Sequence, residues 1–266
     1  MASVIHTVNP DGSHVRQLGS YGADWLFGPE WSPDGSTIVY ADGNVGAIFT
    51  MDADGSDRAS IVAGTAAVHG WMQEPAWSPD GSQIAYVRRG TAQARGDVML
   101  MAADGSEGTT LTNGPADDTD PTWSPDGSSV LFLRHGHGKV AFFTIAPDEI
   151  NLQQLFRVEG TVTSPAWLPD GSGVIFVRAG QVSLYHLSDG SVEPLFEGRD
   201  PAVSPDGSQL VWVRLTPAEA GSSRYELVVS DLKGGNAATI VRCEMDCRLG
   251  EPDWSPLPSA APSATQ

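Results

Sequence analysis

One twelve-residue string, written three times with small changes, constrains this chain more than anything else in it. It reads PEWSPDGSTIVY at 29–40, PAWSPDGSQIAY at 75–86 and PTWSPDGSSVLF at 121–132. Weaker copies follow as PAWLPDGSGVIF at 165–176 and PAVSPDGSQLVW at 201–212, and a shortened PDWSP stands at 252–256. The motif position falls at Trp31, Trp77, Trp123, Trp167, Val203 and Trp254, in steps of 46, 46, 44, 36 and 51 residues. Strand-type segments recurring with a period in the forties mark the blades of a propeller, since each repeat must stack on its neighbours to bury its faces.

Each copy reads as a hairpin. Proline at the start of the first strand loses no needed ladder bond there. The run S-P-D-G then turns the chain, because Pro fixes φ, Asp bonds nearby backbone and Gly accepts positive φ. This makes Asp34, Asp80, Asp126, Asp170 and Asp206 turn residues. The apolar runs that follow, such as Ile84-Ala85-Tyr86-Val87, fit strands buried on both faces, and Trp212 falls in the same register as core. A second unit, in most copies a strand, an Asp-Gly or Gly-Gly turn and another strand, recurs at 4–18, 47–62, 98–112, 140–156, 182–196 and 227–241. Four strands, A to D, therefore make a blade. The expected fold is all-β: a six-bladed propeller of four-stranded antiparallel blades over residues 1–256. Its blades lie at about 29–62, 75–112, 121–156, 165–196, 201–241, and 252–256 plus 4–18. The N-terminal strands are expected to pair with the C-terminal strand and close the ring, which removes exposed edges. The stretch 257–266, rich in Pro, Ala and Ser, reads as a flexible tail.

Charge narrows the partners. Fifteen basic against 33 acidic residues give −18, a field that repels nucleic acid and anionic lipid and favours a basic partner or a cation. No apolar run approaches the roughly 18 residues that span a bilayer, and no leader segment is visible at Met1 to His6. A monomer that neither binds nucleic acid nor inserts in a membrane is expected.

The WSPDG strings with their DGS turns resemble the TolB propeller family over nearly the whole chain. That resemblance implies a periplasmic, cell-surface or secreted scaffold binding a protein or peptide, and it implies an ion in the channel. Fuller members of the family carry an N-terminal domain that no segment here matches. Related propellers cap serine peptidases, whose hydrolase domain has no counterpart in this chain.

Function is expected at the end of the ring where connections differ between blades, namely the D–A and B–C loops. Three features fall there. First, the residue before each A-strand proline is Gly28, Glu74, Asp120, Ser164, Asp200 or Glu251. If A strands line the channel, four carboxylates crowd one mouth, where they either recruit a hard cation such as calcium or simply cap turns in water. No other cofactor is implied. Second, Trp25 and Trp71 each precede the motif tryptophan by six residues, and with Leu26, Phe27 and Met72 they put apolar side chains in loops that should face water, which marks an interface or a plug. His69 shares this face. Third, Cys243 and Cys247 in CEMDC fit a small disulfide, and so an oxidising compartment, better than a zinc site; free thiols are the alternative. His135 and His137 in RHGHGK are read as a solvated loop.

The chain carries no nucleophile elbow, P-loop or zincin motif. The favoured reading is a non-enzymatic binding scaffold. The rival is an enzyme or ligand-binding protein for small molecules or glycans, with His69, Glu74, Asp117, Asp118 and Asp120 at the acidic mouth. A third reading is a structural module of a larger surface protein.

Overall fold

The computed structural model describes residues 3–18, 25–62, 71–90, 95–149, 151–217, 223–243 and 249–256. A two-stranded hairpin comes first, β1 (Ile5–Thr7) and β2 (Arg16–Leu18). Blade 1 follows as β3 (Leu26–Trp31), β4 (Thr37–Asp42), β5 (Ala47–Asp52) and β6 (Ala59–Val62). Blade 2 is β7 (Trp71–Trp77), β8 (Gln83–Arg89), β9 (Gly96–Ala102) and β10 (Thr109–Thr110). Blade 3 is β11 (Asp117–Trp123), β12 (Val130–Gly136), β13 (Lys139–Ile145) and β14 (Gln153–Glu159). Blade 4 is β15 (Val162–Trp167), β16 (Gly173–Arg178), β17 (Gln181–His186) and β18 (Val192–Glu197). Blade 5 is β19 (Arg199–Val203), β20 (Gln209–Pro217), β21 (Ser223–Asp231) and β22 (Ala238–Cys243).

Each blade is an antiparallel meander in chain order. The first strands touch one another in sequence, β3 to β7, β7 to β11, β11 to β15 and β15 to β19, so they stand innermost around the axis. Among the described residues there are five four-stranded blades, not six. The sixth sector holds the β1–β2 hairpin and the segment 249–256, which carries no strand there, so the expected pairing of N- and C-terminal strands is not formed. The reason is local. In every complete blade strand B lies between A and C, and without it an A segment and a C strand stand one place too far apart to share a ladder.

The sector is nonetheless bridged. Ile5 and Leu18 pack with Ile38, Tyr40 and Met51 of blade 1. The hairpin turn lies on the other neighbour, since a Cβ on Gly12 would meet the Ile240 carbonyl at 2.8 Å. Trp254 Nε1 donates to the Ala202 carbonyl of blade 5 at 3.0 Å.

Between complete blades the B and C strands interleave into separate cores. Val39 and Ile48 meet Trp77, Ile84 and Met99 between blades 1 and 2. Ala85 and Leu100 meet Trp123 and Phe132 between blades 2 and 3, Leu133 and Phe142 meet Val174 and Phe176 next, and Ile175 and Leu184 meet Trp212 and Val228 last. B strands are sealed on both faces, and Val39, Ile84, Phe132, Ile175 and Val213 have 0 % exposure. That is why these runs do not alternate polar and apolar.

The motif turns are alike in detail. Ser78 Oγ donates to Asp80 Oδ1 at 2.6 Å and accepts from Gln83 N at 2.9 Å, while Asp80 takes the amide and hydroxyl of Ser82. The same set recurs around Asp34, Asp126 and Asp206. These hydrogen bonds, chiefly from the serine hydroxyls, hold Asp34, Asp80, Asp126 and Asp206 down at about 2. Blade 4 departs: Leu168 replaces the serine, and Asp170 keeps only Ser172.

Candidate functional site

Six residues define the inner collar, and all six stand in the left-handed region: Gly28 (φ 54°), Glu74 (54°), Asp120 (51°), Ser164 (54°), Asp200 (47°) and Glu251 (52°). In the five blades each falls where strand A gains one residue on strand B, between Phe27 and Glu30, Gln73 and Ala76, Thr119 and Thr122, Thr163 and Ala166, and Arg199 and Ala202. Such a bulge re-aims the side chain. The sequence placed these acids before the strands; in the blades they lie inside them.

Apart from Gly28, which has no side chain, each collar side chain reaches the next sector. Glu74 Oε2 accepts from Asp120 N at 2.7 Å, and Asp120 Oδ1 from Ser164 N at 3.4 Å. Ser164 Oγ donates to Asp200 Oδ1 at 3.2 Å, and Asp200 in turn accepts the Glu251 amide. Glu251 Oε2 accepts from Gly28 N at 2.6 Å. A second tier lies two residues on. Asp253 Oδ2 accepts from Trp31 N at 2.8 Å, and Glu30 Oε1 from Trp77 N at 3.1 Å. Glu30 and Asp253 escaped the sequence reading, since their counterparts Ala76, Thr122, Ala166 and Ala202 show no pattern.

Burial dominates the electrostatics. Desolvation pushes Glu74 up to about 8, with the Asp120 carboxyl adding to the effect. It takes Asp253 to about 6 and raises Glu30, which also faces Asp253. Asp120, Asp200 and Glu251 rise for the same reason. Glu251 and Asp253 keep water-exposed surface, which tempers the effect at those two positions. The basic side chains nearby are Arg89, His135 and Arg199.

Among the described residues no three His, Cys, Asp or Glu side chains converge as a metal site. Glu74, Asp120, Asp200 and Glu251 each spend an oxygen on a neighbouring backbone amide instead.

At the loop end, Trp25 is 58 % exposed and Val45 47 %. Phe27 is half-buried, with its ring over Gly43, where a Cβ would meet Phe27 Cε2 at 2.5 Å and Trp25 Cβ at 3.2 Å. Gly43 N donates to the Trp25 carbonyl, which ties the B–C turn to the start of strand A. Trp71 is half-buried in β7, opposite Arg89. Met72 is 4 % exposed and belongs to the core between blades 1 and 2, so it offers no surface. His69 lies outside the described residues.

Of the other acids, Asp118 is buried under a two-pronged Arg134 pair at 2.7 and 2.8 Å. Asp117 accepts from Arg89 and from Gly96 N, both at 2.8 Å. His135 Nε2 lies 2.7 Å from Thr119 Oγ1. Cys243 is buried and disulfide-bonded; Cys247, the only other cysteine of the sequence, lies outside the described residues.

Blades stacked around an axis by their innermost strands make this an all-β propeller. The model of the TolB beta propeller domain matches residues 2–258, and the chain belongs to that family. Its fold is similar to TolB from Acinetobacter baumannii, at 19 % identity and TM-score 0.78, over 95 % of this chain and 62 % of that one. A TolB structure from Agrobacterium tumefaciens aligns at 20 % identity and TM-score 0.71, over 90 % and 88 %. A chain of a nidogen/laminin complex aligns at 14 % and 0.67, over 82 % and 80 %. The chain thus spans less than two thirds of the Acinetobacter protein's length. No curated protein matches its sequence.

Proposed function

We propose that this propeller is an extracytoplasmic binding scaffold that grips a protein or peptide at the loop end of its channel, through Trp25, Phe27 and Trp71. One observation carries the reading. Trp25 is a large aromatic side chain left more than half exposed while its backbone is pinned to Gly43. An exposed aromatic that shares the Gly43 turn with Phe27 forms the kind of anchor that dominates protein interfaces. The family supports a scaffold role at the coarse level, and the disulfide at Cys243 supports an oxidising compartment.

The test is capture from an extract of the source organism on immobilised protein, with the Trp25→Ala/Trp71→Ala double variant as control. A partner retained by the wild type and lost by the folded variant supports the reading. Equal capture by both places the contact elsewhere.

A further inference from the structure

The turn end of the ring, where the motifs repeat, opens between blades 3 and 4. At three other boundaries between blades the motif glycine sits against the proline of the preceding motif. A Cβ on Gly81 would lie 3.7 Å from Pro33 Cδ, one on Gly127 3.9 Å from Pro79 Cδ, and one on Gly207 3.7 Å from Pro169 Cδ. At Gly171 nothing lies within 4 Å, so Pro125 stands off from it. The same blade has exchanged its motif serine for Leu168, which turns into the core between blades 4 and 5.

A groove of about 500 Å³ lies at that boundary, against about 320 Å³ between blades 2 and 3. Its walls carry Pro125, Trp167, Pro169 and Leu187, with Asp126 and Asp170 among its polar groups. Leu187 is 39 % exposed although nothing in a turn requires leucine. The Trp167 indole N–H meets no acceptor, as is also true of Trp77, whereas Trp123 and Trp254 donate to the carbonyls of Ala76 and Ala202.

We infer that this groove between blades 3 and 4 is a second docking site, for a short peptide segment that carries an apolar side chain beside a lysine or arginine. The apolar wall of Trp167, Pro125, Pro169 and Leu187 takes the apolar side chain. Asp126 and Asp170 both titrate below the ordinary carboxylate value, and so are ionised at neutral pH and select a cation. Charge decides against the other occupants: at −18 a second copy of the chain or an acidic partner meets repulsion. The site is at the opposite end of the ring from Trp25 and does not depend on what that end binds.

The experiment is fluorescence anisotropy with a labelled nonapeptide holding a Leu-Pro pair flanked by lysines. Two controls replace the lysines by glutamates or the Leu-Pro pair by serines. Saturable binding of the first is expected, with both controls at least about tenfold weaker. Leu187→Lys and Leu187→Ser, at an exposed position and checked for folding by circular dichroism, weaken the lysine peptide at least about tenfold. Trp25→Ala leaves it unchanged, which separates this site from the loop end. Absence of saturable binding, equal binding of the serine peptide, or indifference to both Leu187 variants overturns the inference. A Leu187-dependent dimer in sedimentation equilibrium overturns it in favour of a second copy.

Discussion

The aspartates of the motif turns and the acids of the inner collar have the same chemistry and opposite fates. Asp34, Asp80, Asp126 and Asp206 stand in water, each cradled by serine hydroxyls and a backbone amide, and are held at about 2. Glu74 and Asp253 also accept backbone amides, yet are raised to about 8 and about 6. A hydrogen bond alone does not set a carboxyl's affinity for protons. Its balance against desolvation and like charge does.

The sharpest way to break this comparison is a stability profile against pH. For the collar, the folded state binds protons that the unfolded state has released. Its contribution is therefore full below the ordinary carboxylate value and is lost as pH rises through about 6 and about 8. Urea unfolding is expected to show stability falling between pH 5 and pH 9 by an amount on the order of a few kcal/mol, carried chiefly by Glu74, since solvent screens the more exposed Asp253. The turns act with the other sign. Their contribution is present above the ordinary value and is lost as pH falls towards about 2. A flat profile from pH 5 to 9 would show that the collar is better solvated than its geometry indicates.

Next in size is Glu74→Gln, which keeps an acceptor for Asp120 N but cannot ionise. At pH 8.5 the variant is expected to be more stable than the wild type by about 1–2 kcal/mol, with little difference at pH 5. Ser78→Ala tests the turns. It strips a buried hydroxyl that serves both Asp80 and the Gln83 amide, and a loss of about 1–2 kcal/mol is expected in the same assay. The smallest effect belongs to Trp25→Ala, within about 0.5 kcal/mol because the side chain is mostly in water. Thermal unfolding checks that it can serve as a binding control.

The fold was legible because a repeat announces it: the P-D-G turn with a sealed strand behind it occurs five times, and each occurrence became a hairpin. The blade number misled because PDWSP and residues 4–18 supply strand-like ends with no strand B between them among the described residues, and periodicity counts ends. Four collar acids were legible from their place before proline. Their left-handed backbone was not, since only Gly28 advertises it and Glu74 or Ser164 argue against it. Met72 was misjudged because the connection after β6 runs into β7 earlier than the proline suggests, so an apparent loop residue alternates inward.

The collar's connections have a heading. Glu74 holds residue 120, and the hold passes through 164, 200 and 251 to the amide of Gly28, which has no side chain to reach onward to 74. The result is a rope wound once around the axis and left untied, rather than a hoop. Slack introduced at Glu74 has a path through every later sector, whereas slack at Gly28 has none in this tier, and blades 1 and 2 are fastened instead one tier on, where Glu30 accepts from Trp77 N.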